Sequence, residues 1–241
     1  MNFYHDLAPF YDQMISFNER LEKEIGTFQS LLAKFPAKSV LDAGCGSGFH
    51  CLLFSNLGLH VTGIDISEDM LKLARKNTEK YKREVTYIQS DFLDMREIPE
   101  AQFDAVYCLG NGFVHLLTEK ERYQTLINFK NRLNPQGYLC LQMINNDKFL
   151  KEKREILAVK QIGQTTFTRT YEYHQHSITF NVEISLNEKV QKFSTELYPL
   201  RQLEIRHSLM DIGFNNIQMY GNLNLKPYDP MLSENLCIFC S

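Results

Sequence analysis

The stretch Val40-Leu41-Asp42-Ala43-Gly44-Cys45-Gly46-Ser47-Gly48 constrains the fold more than any other part of the chain, because a mostly apolar strand runs straight into three closely spaced glycines. A strand that enters a glycine turn and leaves as a helix opens a βαβ unit. The helix is legible just downstream, where Phe49, Leu52, Leu53 and Leu57 fall at i, i+3, i+4 and i+8 and Gly58 can close it. The rhythm continues with β-like runs at 39–43, 60–65, 84–89, 103–108 and 137–144, alternating with amphipathic helical runs. Ser67 offers a cap to a helix bearing Met70, Leu71, Leu73 and Ala74, and Asn134-Pro135-Gln136-Gly137 is a turn before the fifth strand. The fold class expected is α/β, with a doubly wound, mostly parallel sheet.

Residues 150–198 break this pattern. A charged stretch at 151–154 leads into runs at 165–173 and 177–186, where Thr, Tyr, Phe, Val and Ile interleave with polar residues at a period near two. A small antiparallel β insertion is expected there, serving as a cover over the site or as a dimer contact. The alternating pattern then resumes with a helix at 201–211 and strands at 214–220 and 236–239. At 241 residues and 44% hydrophobic content, one domain spanning 1–241 is the expectation. A net charge of -3 leaves no excess of Lys and Arg for a phosphate backbone, which argues against nucleic acid. No long apolar run suggests a membrane span or leader, and six scattered cysteines fit reduced thiols, so the expected location is cytoplasmic. Monomer and homodimer both stay open.

A glycine turn of this kind lets a nucleotide approach the backbone. Asp42 stands at its entrance, and Asp65 ends the second strand, where a carboxylate can accept both hydroxyls of a ribose. The G-x-G-x-G spacing differs from the G-x-G-x-x-G of dinucleotide sites, and an acid at the loop favours a cationic ligand over a pyrophosphate. S-adenosylmethionine, with a sulfonium, an ammonium, a ribose and no phosphate, matches these charges.

Val40 to Gly48 resembles the first motif of class I S-adenosylmethionine-dependent methyltransferases, and Val61-Thr62-Gly63-Ile64-Asp65-Ile66-Ser67 resembles the acidic segment that follows it. The resemblance implies a Rossmann-like seven-stranded sheet with its last strand inserted antiparallel. Ser90-Asp91-Phe92 is similar to the family's adenine-contacting turn. Cys108-Leu109-Gly110-Asn111-Gly112-Phe113-Val114-His115-Leu116 looks like a stretch of the glycine and sarcosine N-methyltransferases, and Leu197-Tyr198-Pro199 resembles their C-terminal half. Phe3 to Asp12 resembles the segment that folds over the cofactor in relatives. The implied cofactor is S-adenosylmethionine, with S-adenosylhomocysteine as product and a small-molecule acceptor, an amine nitrogen. Expected cofactor contacts are Tyr11, Asp42, Gly44, Cys45, Gly46, Gly48, Asp65, Ile66, Asp91, Phe92 and Leu109. Tyr4, Asn145 and Tyr198 are expected at the substrate. Glycine-methylating members carry an arginine just past the fifth strand, where this chain has Asn145 and Asn146. That departure puts glycine itself in doubt.

Each candidate has a plainer reading beside it. Asn111 could orient the acceptor or satisfy backbone in a tight Gly-Asn-Gly turn. His115 could act as a base or be a hydrogen-bonded histidine at a helix start, and Tyr4 and Tyr11 could be ordinary packed aromatics. No metal site is expected: Cys45, His50 and Cys51 are accounted for by the glycine loop, and Cys237 and Cys240 fall on opposite sides of a strand. The rival functions are a nicotinamide-dependent oxidoreductase and a catalytically silent binder of S-adenosylmethionine.

Overall fold

The computed structural model describes residues 3–98, 103–187 and 189–241. Two helices lead in, α1 (Phe3–Met14) and α2 (Phe17–Lys34). The βαβ units follow as β1 (Ser39–Ala43), α3 (Phe49–Asn56), β2 (His60–Asp65), α4 (Glu68–Lys80), β3 (Thr86–Gln89), β4 (Phe103–Cys108), a 3-10 turn at Gly112–His115, α5 (Glu119–Arg132) and β5 (Leu133–Ile144). After α6 (Asn146–Glu152) come β6 (Ile156–Ile162), β7 (Thr165–Tyr173), β8 (Ile178–Leu186) and β9 (Lys189–Leu197). The chain returns to the main sheet through α7 (Gln202–Asp211), β10 (Gln218–Tyr220) and β11 (Asn235–Cys240).

The main sheet has the order β10-β11-β5-β4-β1-β2-β3. β1 to β5 pair in parallel, and β11 runs antiparallel between β5 and β10. β1 lies between β2 and β4, so the winding reverses there and opens a crevice at the carboxyl ends of the strands. Alternation along the strands feeds two cores. Leu41, Val106 and Ile238 face the side covered by α5 and α7, while Val40, Tyr107 and Phe239 face α2 and α3. Cys237 and Cys240 fall into opposite cores, and all six cysteines are buried free thiols.

Local chemistry sets the helix starts. Ser67 accepts from the Met70 backbone N–H to begin α4, and Thr118 with Glu121 forms a reciprocal capping box on α5. The turn at Asn134 is absorbed into a bulge of β5, where Leu133 pairs with Phe103 and Tyr138 with Ala105. β6 to β9 form a separate four-stranded antiparallel sheet. Phe167, Val182 and Ile184 from this sheet pack on Phe3, Leu7 and Met14 of α1.

Candidate functional site

A cavity of about 620 Å³ runs along the carboxyl edge of the main sheet. At one end lie Ile66, at the tip of β2, and the turn Ser90 to Leu93 after β3. The middle is the glycine loop with Asp65 beneath it, roofed by Tyr4 and Tyr11 of α1. The far end passes Leu109 and Gly110 after β4 to Gln142 on β5 and Asn235 on β11, under Arg20, Glu24 and Thr27 of α2.

The loop and its acid fix each other. The Gly46 N–H donates to Asp65 Oδ2 at 2.8 Å and the Ser67 N–H donates to Oδ1 at 2.9 Å, so each carboxylate oxygen keeps a lone pair for the cavity. Burial pushes the Asp65 carboxyl upward against these hydrogen bonds. Gly46 has φ +54°, and a Cβ there would sit 3.6 Å from the Tyr11 hydroxyl, so any side chain would consume the gap between loop and roof. Phe92 is held from behind, its ring edge-on to Phe129 and its carbonyl accepting from Asn128.

Tyr4 and His115 are hydrogen-bonded, Oη to Nε2, at 2.8 Å. Desolvation lowers the His115 pKa to about 4, so the ring is neutral near pH 7 and already engaged. His50 is likewise lowered, to about 3, by burial and by Arg20. Among the described residues the lining therefore carries one guanidinium, Arg20, against the carboxylates of Glu24, Asp65, Asp91 and Glu121. That balance favours a ligand bearing positive charge.

The structure brings Tyr4, Tyr11, Gly44, Cys45, Gly46, Asp65, Ile66, Asp91, Phe92, Leu109 and His115 to this one cavity. It places five expected residues elsewhere. Asp42 is buried behind the loop, where it accepts from the Cys51 thiol at 3.2 Å and its pKa is raised by burial to about 7; the negative lining comes from other acids. Gly48 serves packing, since a Cβ there would lie 2.5 Å from the Tyr87 hydroxyl and 2.9 Å from Ala74 Cβ. Asn111 takes the turn role: at φ 72° its Oδ1 accepts from the Ile144 N–H at 2.8 Å. Asn145 is fully buried and donates to the carbonyls of Pro230 and Ser233 while accepting from Tyr228, which pins the loop before β11. Tyr198 donates to Glu204 and lies under the Arg122 guanidinium, away from the cavity.

Sequence reasoning missed the α2 roof and the β5 and β11 amides. For α2 a signal existed in Phe17, Leu21, Phe28 and Leu31, which recur near helical spacing and are buried. For Gln142 and Asn235 no short motif marks the position; only the register opposing Asn235 to Ile144 at the carboxyl edge puts them there.

A family model described as a methyltransferase domain matches residues 40–137. The glycine/sarcosine N-methyltransferase of Aphanothece halophytica is 30% identical over 213 residues, covering 88% of this chain and 79% of that protein. The chain belongs to the S-adenosylmethionine-dependent methyltransferase family. A glycine/sarcosine N-methyltransferase of Halorhodospira halochloris is also 30% identical, over 88% of this chain and 78% of its own. The solved S-adenosylmethionine-dependent methyltransferase from Clostridium acetobutylicum superposes with a TM-score of 0.83 at 13% identity, covering 100% of this chain and 99% of that one. That likeness shows the fold: a Rossmann-like sheet with β11 inserted antiparallel. The methyltransferase thus uses S-adenosylmethionine and acts on a small molecule, which sets aside both the nicotinamide reading and the silent binder. Among the described residues no helix is long and apolar enough to cross a membrane.

The lining suits the cofactor: a glycine gap at Gly46, a carboxylate with two open lone pairs at Asp65, an apolar ring at Phe92 and a surplus of negative charge.

Proposed function

We propose that the methyltransferase methylates the nitrogen of a small amine, with the cofactor held at the Asp65 and Phe92 end and the acceptor admitted from the Gln142 and Asn235 end. The observation that carries this reading is the single continuous cavity along the carboxyl edge, which extends past the glycine loop across three further strands, β4, β5 and β11. The named relatives support the amine, being glycine/sarcosine N-methyltransferases.

When bound, the cofactor supplies an activated methyl group on a sulfonium, so the protein's task is alignment and exclusion of water. Asp65 would take the ribose hydroxyls, Asp91 and Phe92 the adenine, and Tyr11 the space above Gly46. Neutral His115 positions Tyr4, and through it the roof, rather than serving as a base. An amine entering unprotonated needs no side-chain base, since the proton released after N–C bond formation can leave to solvent.

The chain is read as one domain in which 150–198 acts as a cover through α1. The six buried free thiols fit a reducing, cytoplasmic setting. The described cavity is lined from a single chain, so the reading serves monomer and homodimer alike. Calorimetry with S-adenosylhomocysteine, followed by mass spectrometry of acceptors from a mixed panel of amines, alcohols and thiols, tests it. Methylated amines are expected; exclusive methylation of oxygen or sulfur would overturn the assignment.

A further inference from the structure

The far lobe of the cavity has an unusual polar lining. Four primary amides, Gln142, Asn222, Asn224 and Asn235, meet there, and each has its carbonyl oxygen already bonded within the protein. Gln142 Oε1 accepts from the Gly110 N–H at 2.7 Å, and Gln142 Nε2 in turn donates to Asn235 Oδ1 at 3.0 Å. Asn224 Oδ1 accepts from the Thr27 hydroxyl at 2.8 Å, and Asn222 Oδ1 from the Lys226 N–H at 3.3 Å. The orientation of every amide is thereby set with oxygen turned to protein. What is left for a ligand is a set of neutral N–H donors, including one on Gln142 and both on Asn235.

We infer that this lobe accepts an amine carried on a neutral, oxygen-rich skeleton, an amino sugar or amino polyol, whose hydroxyl and ether oxygens accept from the four amide NH2 groups. The inference rests on the methyl-transfer reading above and names its acceptor class. An apolar amine would strip water from these donors and give nothing back, which disfavours it. A carboxylate-bearing amine such as glycine meets a different obstacle. Arg20, the lone guanidinium of the described lining, is bonded to Glu24 through Nε at 2.6 Å and Nη2 at 3.1 Å, so the roof of the lobe carries an added carboxylate and no free cation. Asn145, at the position where glycine-methylating relatives are expected to hold an arginine, is buried in the loop before β11 and supplies no charge either. Neutral donors facing several directions suit dispersed hydroxyl oxygens better than one concentrated charge.

The test begins with calorimetry of S-adenosylhomocysteine on the full chain; no binding there overturns the methyl-transfer reading itself. With binding established, release of S-adenosylhomocysteine is followed for three groups of similar size: amino sugars and aminopolyols, glycine and sarcosine, and cyclohexylamine. The oxygen-rich amines are expected to exceed the other two groups at least tenfold in kcat/KM. Equal or better turnover of glycine, sarcosine or cyclohexylamine overturns the inference, as does failure of every oxygen-rich amine. Asn224→Leu, at an exposed rim position, and Asn235→Leu should each raise KM for the preferred amine at least fivefold, with S-adenosylhomocysteine affinity within twofold of wild type. An unchanged KM in both variants, with folding verified by Tm, removes the amides from recognition.

Discussion

Asp65 and Asp42 are both buried acids of the same βαβ unit on one face of the sheet, yet only Asp65 lines the cavity, and they lead to different expectations. Asp65 keeps a lone pair on each oxygen for the cavity while holding the Gly46 and Ser67 N–H groups. Hydrogen bonds to a charged group are worth roughly 1.5 to 3 kcal/mol each, so Asp65→Ala, which removes two of them, should weaken S-adenosylhomocysteine binding by about a hundredfold to ten-thousandfold. Calorimetry that showed a loss under threefold would remove Asp65 from the site. Asp42 does not line the cavity, and the effect argued for it is on stability. Its pKa rises from an ordinary 3.8 to about 7 through burial, so the unfolded chain releases this proton before the folded one does. Stability therefore falls as pH rises from about 4 to 7 and levels above that. At about 1.4 kcal/mol per pH unit, the penalty is on the order of 4 kcal/mol at most. Asn in this place can still accept from Cys51 without carrying charge. Asp42→Asn should gain Tm relative to wild type progressively from pH 4 to 7, and a gain that is the same at pH 5 and pH 8 would sink this account.

At the scale of elements, the glycine loop divides between two tasks. Gly46 faces the roof, whereas Gly48 starts α3 at φ +79° against Tyr87 and Ala74, fastening α3 to α4 and β3. Gly48→Ala incurs left-handed backbone strain of roughly 1 to 2 kcal/mol and overpacking of typically 1 to 3 kcal/mol. Thermal denaturation should show a Tm lower by about 5 to 15 °C, while S-adenosylhomocysteine affinity, measured well below that Tm, stays within threefold. A large loss of affinity in a variant of normal Tm would return Gly48 to the cofactor site. The βαβ elements were legible because burial and backbone requirements agree there: periodicity, Ser67 capping and the glycine turn all point the same way. β6 and β9 were not, because edge strands such as Lys189–Leu197 are mostly exposed and carry charges such as Lys189, Lys192 and Glu196, which blurs the alternation. Asn111 and Asn145 are ambiguous in sequence for a related reason. A polar side chain at a strand end serves either a ligand or a turn's unpaired backbone groups, and only the hydrogen bonds to Ile144, Pro230 and Ser233 tell which.

For the whole molecule, the question is what the four-stranded sheet does for a cavity that none of its residues lines. Its inner face meets α1, with Phe167, Val182 and Ile184 against Phe3, Leu7 and Met14, and the edge-on contact of Tyr4 with Phe3 continues this packing to the roof. α1 is tied on its other side to α4, where His5 is hydrogen-bonded to Asp69 and Asn77 donates to Asp12 at 2.8 Å. Those polar links are few and partly solvated, so the apolar contact with the sheet supplies most of the force that keeps Tyr4 and Tyr11 over the glycine loop. Loosening that contact should therefore reach the cavity from a distance. Ile184→Ala removes buried methyl groups at a cost of about 2 to 5 kcal/mol. Part of that cost falls on the docking of α1, whose detached state lacks the roof and binds cofactor weakly. We expect S-adenosylhomocysteine affinity to fall at least fivefold, together with faster hydrogen exchange of the α1 amides, although Ile184 lines no part of the cavity. Added S-adenosylhomocysteine should restore that protection, because a ligand that needs the docked roof stabilises it by mass action. Unchanged affinity and unchanged α1 exchange in a variant whose Tm has dropped would mean that the sheet supports the fold alone, and that the roof is held by α4.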